Sequence, residues 1–227
     1  MNLQQNVMMT SEEIYEDLCL KIEKLEYMPG ERLSENDLSK TYNVTRHVIR
    51  NALASLKQRK LVDVFPQRGT YVSLIDMDYI EDILYMREAM EQEALCRIMK
   101  IQDCSSIVTT LKQIVEKQKN IIGETDFGEA FYVLDNEFHL TLLKAVGKPN
   151  VMNLISESYI HIRRWRNYEI RSERRIQEII SEHENLICAI EQKDAQKGRE
   201  SLHLHLDTVN RYSKPLKEKE ARYFVQK

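Results

Sequence analysis

The residues best suited to chemistry are an aspartate and three histidines set into apolar helix faces. In FYVLDNEFHLTLLKAV, Phe131, Phe138, Leu142 and Val146 recur at helical spacing, and Asp135 and His139 fall on that stripe. They are four residues apart and therefore adjacent on one face. A second stripe, Ile176, Ile179, Ile180, Leu186, Ile187 and Ile190, carries His183 in its middle. In a third, Leu202, Leu206 and Val209 are joined by His205, whereas His203 aligns with Arg199, Asp207 and Asn210 on the polar side. Periodicity therefore selects His205 over its neighbour. A buried carboxylate without a partner is costly. Three imidazoles and one carboxylate from three helices satisfy one another by binding a divalent metal, and this donor set admits zinc, nickel, manganese or iron. Taken alone, each histidine is more often a hydrogen-bonded core residue, and the sequence does not show that the helices meet.

A second constellation lies nearer the N-terminus. Residues 12–37 carry nine acids against three bases, whereas residues 38–68 carry seven bases against Asp63 alone. A basic segment inside a chain of net charge −3 is the footprint of one small surface that meets phosphate. Arg46 and Arg50 are four apart on one helix face, and a guanidinium suits the O6/N7 edge of guanine. Thr45, just before them, can cap the helix or meet a phosphate. Arg68 and Gly69 follow at a turn, where glycine lets the backbone approach DNA without a side-chain clash.

The elements that must position these residues are mostly helical. Six glycines and four prolines in 227 residues disfavour an all-β sandwich or a glycine-rich nucleotide fold. Ile14, Leu18, Ile22 and Leu25 predict a first helix capped by Ser11, ended at Pro29-Gly30. Short helices over 35–42 and 46–59 flank the turn Asn43-Val44-Thr45, and strands 61–65 and 70–74 form a hairpin around Pro66-Gln67-Arg68-Gly69. This order is that of a winged helix-turn-helix. Six helical segments then follow, near 77–101, 104–122, 127–146, 150–169, 172–192 and 195–213. The expected fold is mainly α, with a DNA-binding domain over 1–75 and a six-helix antiparallel bundle over 76–227.

With 42% hydrophobic and 30% charged residues the chain is globular, not disordered. Its four cysteines lie far apart with no CxxC pair, which supports neither a disulfide framework nor a thiolate zinc site. The N-terminus lacks the basic-then-apolar pattern of a signal peptide, and no apolar run approaches the roughly 18–20 residues of a membrane span. The expectation is a cytoplasmic protein with no membrane partner.

The stretch GERLSENDLSKTYNVTRHVIRNALASLKQRKLVDVFPQRG resembles the GntR family of bacterial transcription regulators through Gly30, Leu33, Glu35, Leu38, Val44, Thr45, Arg46, Ile49, Arg50, Ala52, Leu53, Leu56 and Gly69. It departs from the family pattern at His47-Val48, at Asn36, where several members carry a DNA-contacting arginine, and at Asn51. The resemblance implies a DNA-reading set of Asn36, Thr45, Arg46, His47, Arg50, Arg68 and Gly69, but these departures carry over no operator sequence. LDNEFHLTLLKAVGKPN and SEHENLICAIEQKDAQKGRESLHLHL resemble the FCD sensor domain of the FadR subfamily. Asp135, His139, His183 and His205 match the metal-binding positions of that domain, and Arg87, Glu88 and Glu91 resemble its opening motif. Six sensor helices suggest the VanR-like branch.

That resemblance implies a homodimer whose two DNA-binding domains are respaced when a small carboxylate enters beside the metal. The expected effector-binding residues are Arg87, with Arg163 and Arg164 from an arginine cluster that continues to Arg166, Arg171, Arg174 and Arg175. The expected function is a repressor on pseudo-palindromic, double-stranded operator DNA. A regulator that senses the metal itself is one alternative. A metalloenzyme built on the bundle is another, weakened by the lack of a general base near the four ligands in sequence.

Overall fold

Helix α1 (Ser11–Glu23) starts one residue earlier in its capping than the sequence suggests, because Thr10, not Ser11, is the cap. The Thr10 hydroxyl accepts from the Glu13 amide at 3.2 Å, and Glu13 accepts from the Thr10 amide at 2.7 Å. This reciprocal pair satisfies two donors that the first turn otherwise leaves open. In this computed structural model, residues 9–123, 127–169 and 173–226 are described. Arg171 and the extreme N-terminus searched for a leader lie outside them.

Strand β1 (Arg32–Leu33), helices α2 (Glu35–Thr41) and α3 (Arg46–Gln58), and strands β2 (Val62–Phe65) and β3 (Gly69–Val72) complete the expected winged helix-turn-helix. Ile14, Leu18 and Ile22 of α1 pack with Ile49, Leu53 and Leu56 of α3 in a buried core. The turn between α2 and α3 is fixed by Asn43, whose φ of 52° lies in the left-handed region that asparagine tolerates. The Ser39 hydroxyl donates across the same turn to the Val44 carbonyl at 2.5 Å. The sheet has three antiparallel strands in the order β1-β3-β2, one more than the expected hairpin. β1 pairs only Arg32 with Tyr71 and Leu33 with Thr70, too short a run to show alternation in sequence.

The chain divides into two compact units, Met1–Asp76 with Lys217–Lys227, and Met77–Leu216. The tail, expected with the second domain, returns instead to the first. Ile75 donates to the Tyr223 carbonyl at 2.9 Å and accepts from the Val225 amide at 3.0 Å. Phe224 is wholly buried beside this bridge. Burying that ring is the physical reason for the return, and the charged sequence around it hides the signal. Phe224→Ala is expected to lower unfolding stability by about 3–5 kcal/mol. Chemical denaturation followed by circular dichroism checks this, and an unchanged midpoint would show that the tail is dispensable.

The second unit holds α4 (Met77–Ile98), α5 (Ser105–Asn120), α6 (Phe127–Ala145), a 3-10 turn (Val151–Ile155) leading into α7 (Ser156–Glu169), α8 (Glu173–Gln192), α9 (Ala195–Leu206) and, as far as Leu216, α10 (Thr208–Lys219). The sixth expected segment is thus divided at Asp207 into α9 and α10. Its core joins Leu95 and Ile98 of α4, Leu111 and Ile114 of α5, Phe131, Phe138 and Leu142 of α6, and the predicted isoleucine stripe of α8.

Candidate metal centre and nucleic-acid interface

Inside the second unit, α6, α8 and α9 bring Asp135, His139, His183 and His205 together, all four buried. One ligand atom from each lies within 4.8 Å of the others. His139 Nε2 and His205 Nε2 are 2.9 Å apart. Asp135 Oδ1 stands 3.5 Å from His183 Nε2, 3.8 Å from His139 Nε2 and 4.0 Å from His205 Nε2. Atoms each about 2.0–2.2 Å from a shared ion would be spaced on this scale.

The opposite edge of every imidazole is tied down. Nδ1–H of His139 donates to Glu91 Oε2 at 2.6 Å, that of His183 to Gln118 Oε1 at 3.0 Å, and that of His205 to Glu182 Oε2 at 3.0 Å. With the proton on Nδ1, each Nε2 turns a lone pair toward the same point. Three lone pairs and a carboxylate facing one another in a dry site repel unless a cation lies between them. Asp135 Oδ1 and His183 Nε2 are buried with no hydrogen-bond partner among the described residues. The donor set therefore fits a divalent ion.

Electrostatics point the same way. Burial, then the neighbouring His205, pushes His183 well below the usual imidazole range, and burial with His139 does the same to His205. Both are held neutral, as metal ligation requires. Burial alone would raise Asp135, but Arg166 and the histidines hold its carboxyl well below the usual range. Glu91 is likewise opposed by burial, yet His139 and Arg87 bring it down to about 2.

The expected effector residues do not all converge. Arg87 is fully buried and donates Nε–H to Glu91 Oε1 at 2.7 Å. Arg163 lines a cavity of about 660 Å³ with Tyr132, His139 and Tyr159. Arg87 and Arg164 are both buried, and neither is part of that wall.

In the first unit, a concavity of about 260 Å³ is lined by Asn36, Arg46 and Gly69 together with Arg32, Ser34 and Thr70. Thr45 occupies the N-cap position of α3 but makes no side-chain capping bond, so its hydroxyl is available to a phosphate. Thr45, Arg46, His47, Arg50 and Arg68 are exposed. Arg50 is engaged by Glu35 of α2 at 2.8 Å, and Arg68 lies 6.0 Å from the Phe65 ring. Gly69 takes φ +114°, and a Cβ there would approach Arg32 Nε to 3.1 Å.

Two family models match the chain: bacterial regulatory proteins of the gntR family over residues 10–72, and the FCD domain over residues 82–208. The chain belongs to the GntR family and carries an FCD domain. An HTH-type transcriptional regulator from an unstable DNA locus of Streptomyces ambofaciens is 30% identical over 198 residues, covering 87% of this chain and 82% of the relative. The HTH-type transcriptional repressor RspR of Escherichia coli K12 is 23% identical, over 95% of this chain and 94% of its own. A solved GntR regulator from Rhodococcus sp. RHA1 shares the fold at a TM-score of 0.67 and 18% identity, over 88% of this chain and 96% of that one.

This GntR–FCD protein is therefore a transcription regulator by family, and the metalloenzyme reading gives way. Among the described residues no helix is long and apolar enough to cross a membrane. Sequence reading missed the outer partners Gln118 and Glu182 and the wall residue Arg32, and it named Arg166 only as part of the arginine cluster.

Proposed function

We propose that this regulator is a homodimeric repressor of the VanR-like branch of the FadR subfamily, acting in the cytoplasm on a pseudo-palindromic operator. Asn36, Thr45, Arg46, His47, Arg50, Arg68 and Gly69 form its DNA-reading set. Asp135, His139, His183 and His205 would hold a divalent zinc, nickel, manganese or iron ion, which supplies an anchor for the carboxylate of a small organic acid. Arg87, Arg163 and Arg164 are its effector-binding arginines, of which Arg163 lines the cavity beside His139 and Tyr159. The domain roles follow: reading by residues 1–75, sensing and dimerisation from residue 76 onward. The branch assignment rests on the six sensor segments, the last divided at Asp207, and the repressor assignment on the likeness to RspR.

The observation that carries the sensor reading is the set of three histidines, each locked through Nδ1 so that every Nε2 converges with Asp135. An acid regulates only if it binds one dimer geometry better than the other, since equal affinity shifts nothing. The unpaired buried guanidinium nitrogens of Arg87 favour an acid over a sensor of the metal alone. Gln118→Ala, which releases His183 without removing a ligand, is expected to weaken metal binding about 10–100-fold. Competition with a chromophoric chelator measures this. Equal affinity in wild type and variant would refute the metal assignment of His183.

A further inference from the structure

The buried charges next to the four-residue cluster leave a surplus of donors. Arg87 uses Nε on Glu91, but among the described residues its Nη1 and Nη2 have no hydrogen-bond partner. Arg166 is 2% exposed, and its Nε, Nη1 and Nη2 likewise have no hydrogen-bond partner among the described residues. Tyr159 is seven residues before Arg166, on the same face of α7, and its buried hydroxyl is also unpartnered. The Arg87 guanidinium stands 5.5 Å from the Tyr159 ring centroid. A guanidinium cannot shed its proton, so unpaired donors of this kind call for an acceptor.

The charge count says how much acceptor is needed. Glu91 answers Arg87, and Asp135 answers Arg166, whose charge acts on Asp135, Tyr159 and both His183 and His205. The next buried carboxylate, Glu182, is taken by Arg211 at 2.6 Å and by His205. A divalent ion on the four ligands then adds two positive charges that these buried carboxylates do not offset. The Tyr159 hydroxyl keeps its proton, because burial pushes it up to about 12, and so it is a donor too.

We propose that the sensor site is built for a dianionic acid, a dicarboxylate or a phosphorylated acid, with one anionic end toward the Asp135–histidine cluster and the other on Arg87, Arg166 and Tyr159. The inference rests on the reading of that cluster as a metal site and of the effector as an organic acid. The cavity of about 660 Å³ is of a size that takes small-molecule ligands; it reaches the cluster at His139 and the donors at Tyr159, whereas Arg87 and Arg166 are buried off its wall. Arg166 determines specificity: Arg87 already has Glu91 on its Nε, whereas all three Arg166 nitrogens are open, so a single-headed acid held at the cluster would leave them unanswered.

Calorimetric titration of the zinc-loaded full chain tests this with matched pairs, succinate against butyrate and 3-phosphoglycerate against glycerate. At least one dianion is expected to bind tenfold or more tightly than its single-headed partner, and the two pairs separate dicarboxylate from phosphate recognition. Arg166→Gln is expected to erase that preference while zinc stoichiometry, measured separately by elemental analysis, stays at one per chain. Tyr159→Phe, a milder change that keeps the packing, is expected to weaken the dianion only. A monoanion that binds as tightly as its dianion, or an Arg166→Gln protein that retains the preference, overturns the inference while leaving the acid-effector reading intact. Zinc binding with no response to any of the four acids overturns both, and failure to hold zinc removes the metal reading beneath them.

Discussion

His183→Ala is expected to abolish stoichiometric metal binding, with an affinity loss beyond the roughly 10–100-fold expected of an outer partner. His183 is fully buried, is stacked at 3.9 Å on Phe138, and has an Nε2 with no hydrogen-bond partner among the described residues. Removing it deletes one of four converging donors and leaves Asp135 Oδ1 without its nearest imidazole. The thermal consequence is separable from the packing loss. An ion present at about 100 times its Kd stabilises the native state by about 2.7 kcal/mol, so a chelator should lower the wild-type Tm. It should leave the variant's Tm unchanged. Thermal unfolding of both proteins with and without chelator checks this, and a variant that responds to chelator like the wild type would place the ion elsewhere.

Arg46→Ala is expected to cost about 1–3 kcal/mol in operator binding and to relax preference at one base per half-site. Arg46 is exposed at the start of α3, on the wall of the concavity shared with Asn36 and Gly69. Arg50 is expected to contribute less, because its Nε is already engaged by Glu35 and reaching a base means giving up that bond. Affinity on a cognate duplex and on single-base variants, at one stated salt concentration, distinguishes the two residues. A loss for Arg46→Ala that is uniform across sequences would make Arg46 a phosphate contact instead.

Much of the site was legible because burial imposes a period. Asp135, His139, His183 and His205 stood out as polar residues on apolar stripes, and the same rule excluded His203, which is exposed. The outer partners were not legible, because Gln118 and Glu182 earn their roles only from the packing of α5 against α8 and of α8 against α9. A run of three arginines within Arg163–Arg166 invited a choice by composition. Period does not make that choice, because α7 is buried nearly all round: Arg164 shares a row with Ile160 and Tyr168 as Arg166 does with Tyr159 and Ile162. Strand β1 was hidden by its two-residue length, and the docking of Phe224 at Ile75 by a separation in sequence that no local pattern can report.

Binding of DNA as a symmetric pair through α2, α3 and the wing is open to a single experiment, selection of bound duplexes from a random pool with wild type beside Arg46→Ala. The wild type is expected to enrich a two-fold symmetric site, and the variant the same site degenerate at one base per half. An asymmetric site, or identical enrichment by both proteins, would show that the chain does not read DNA in this way.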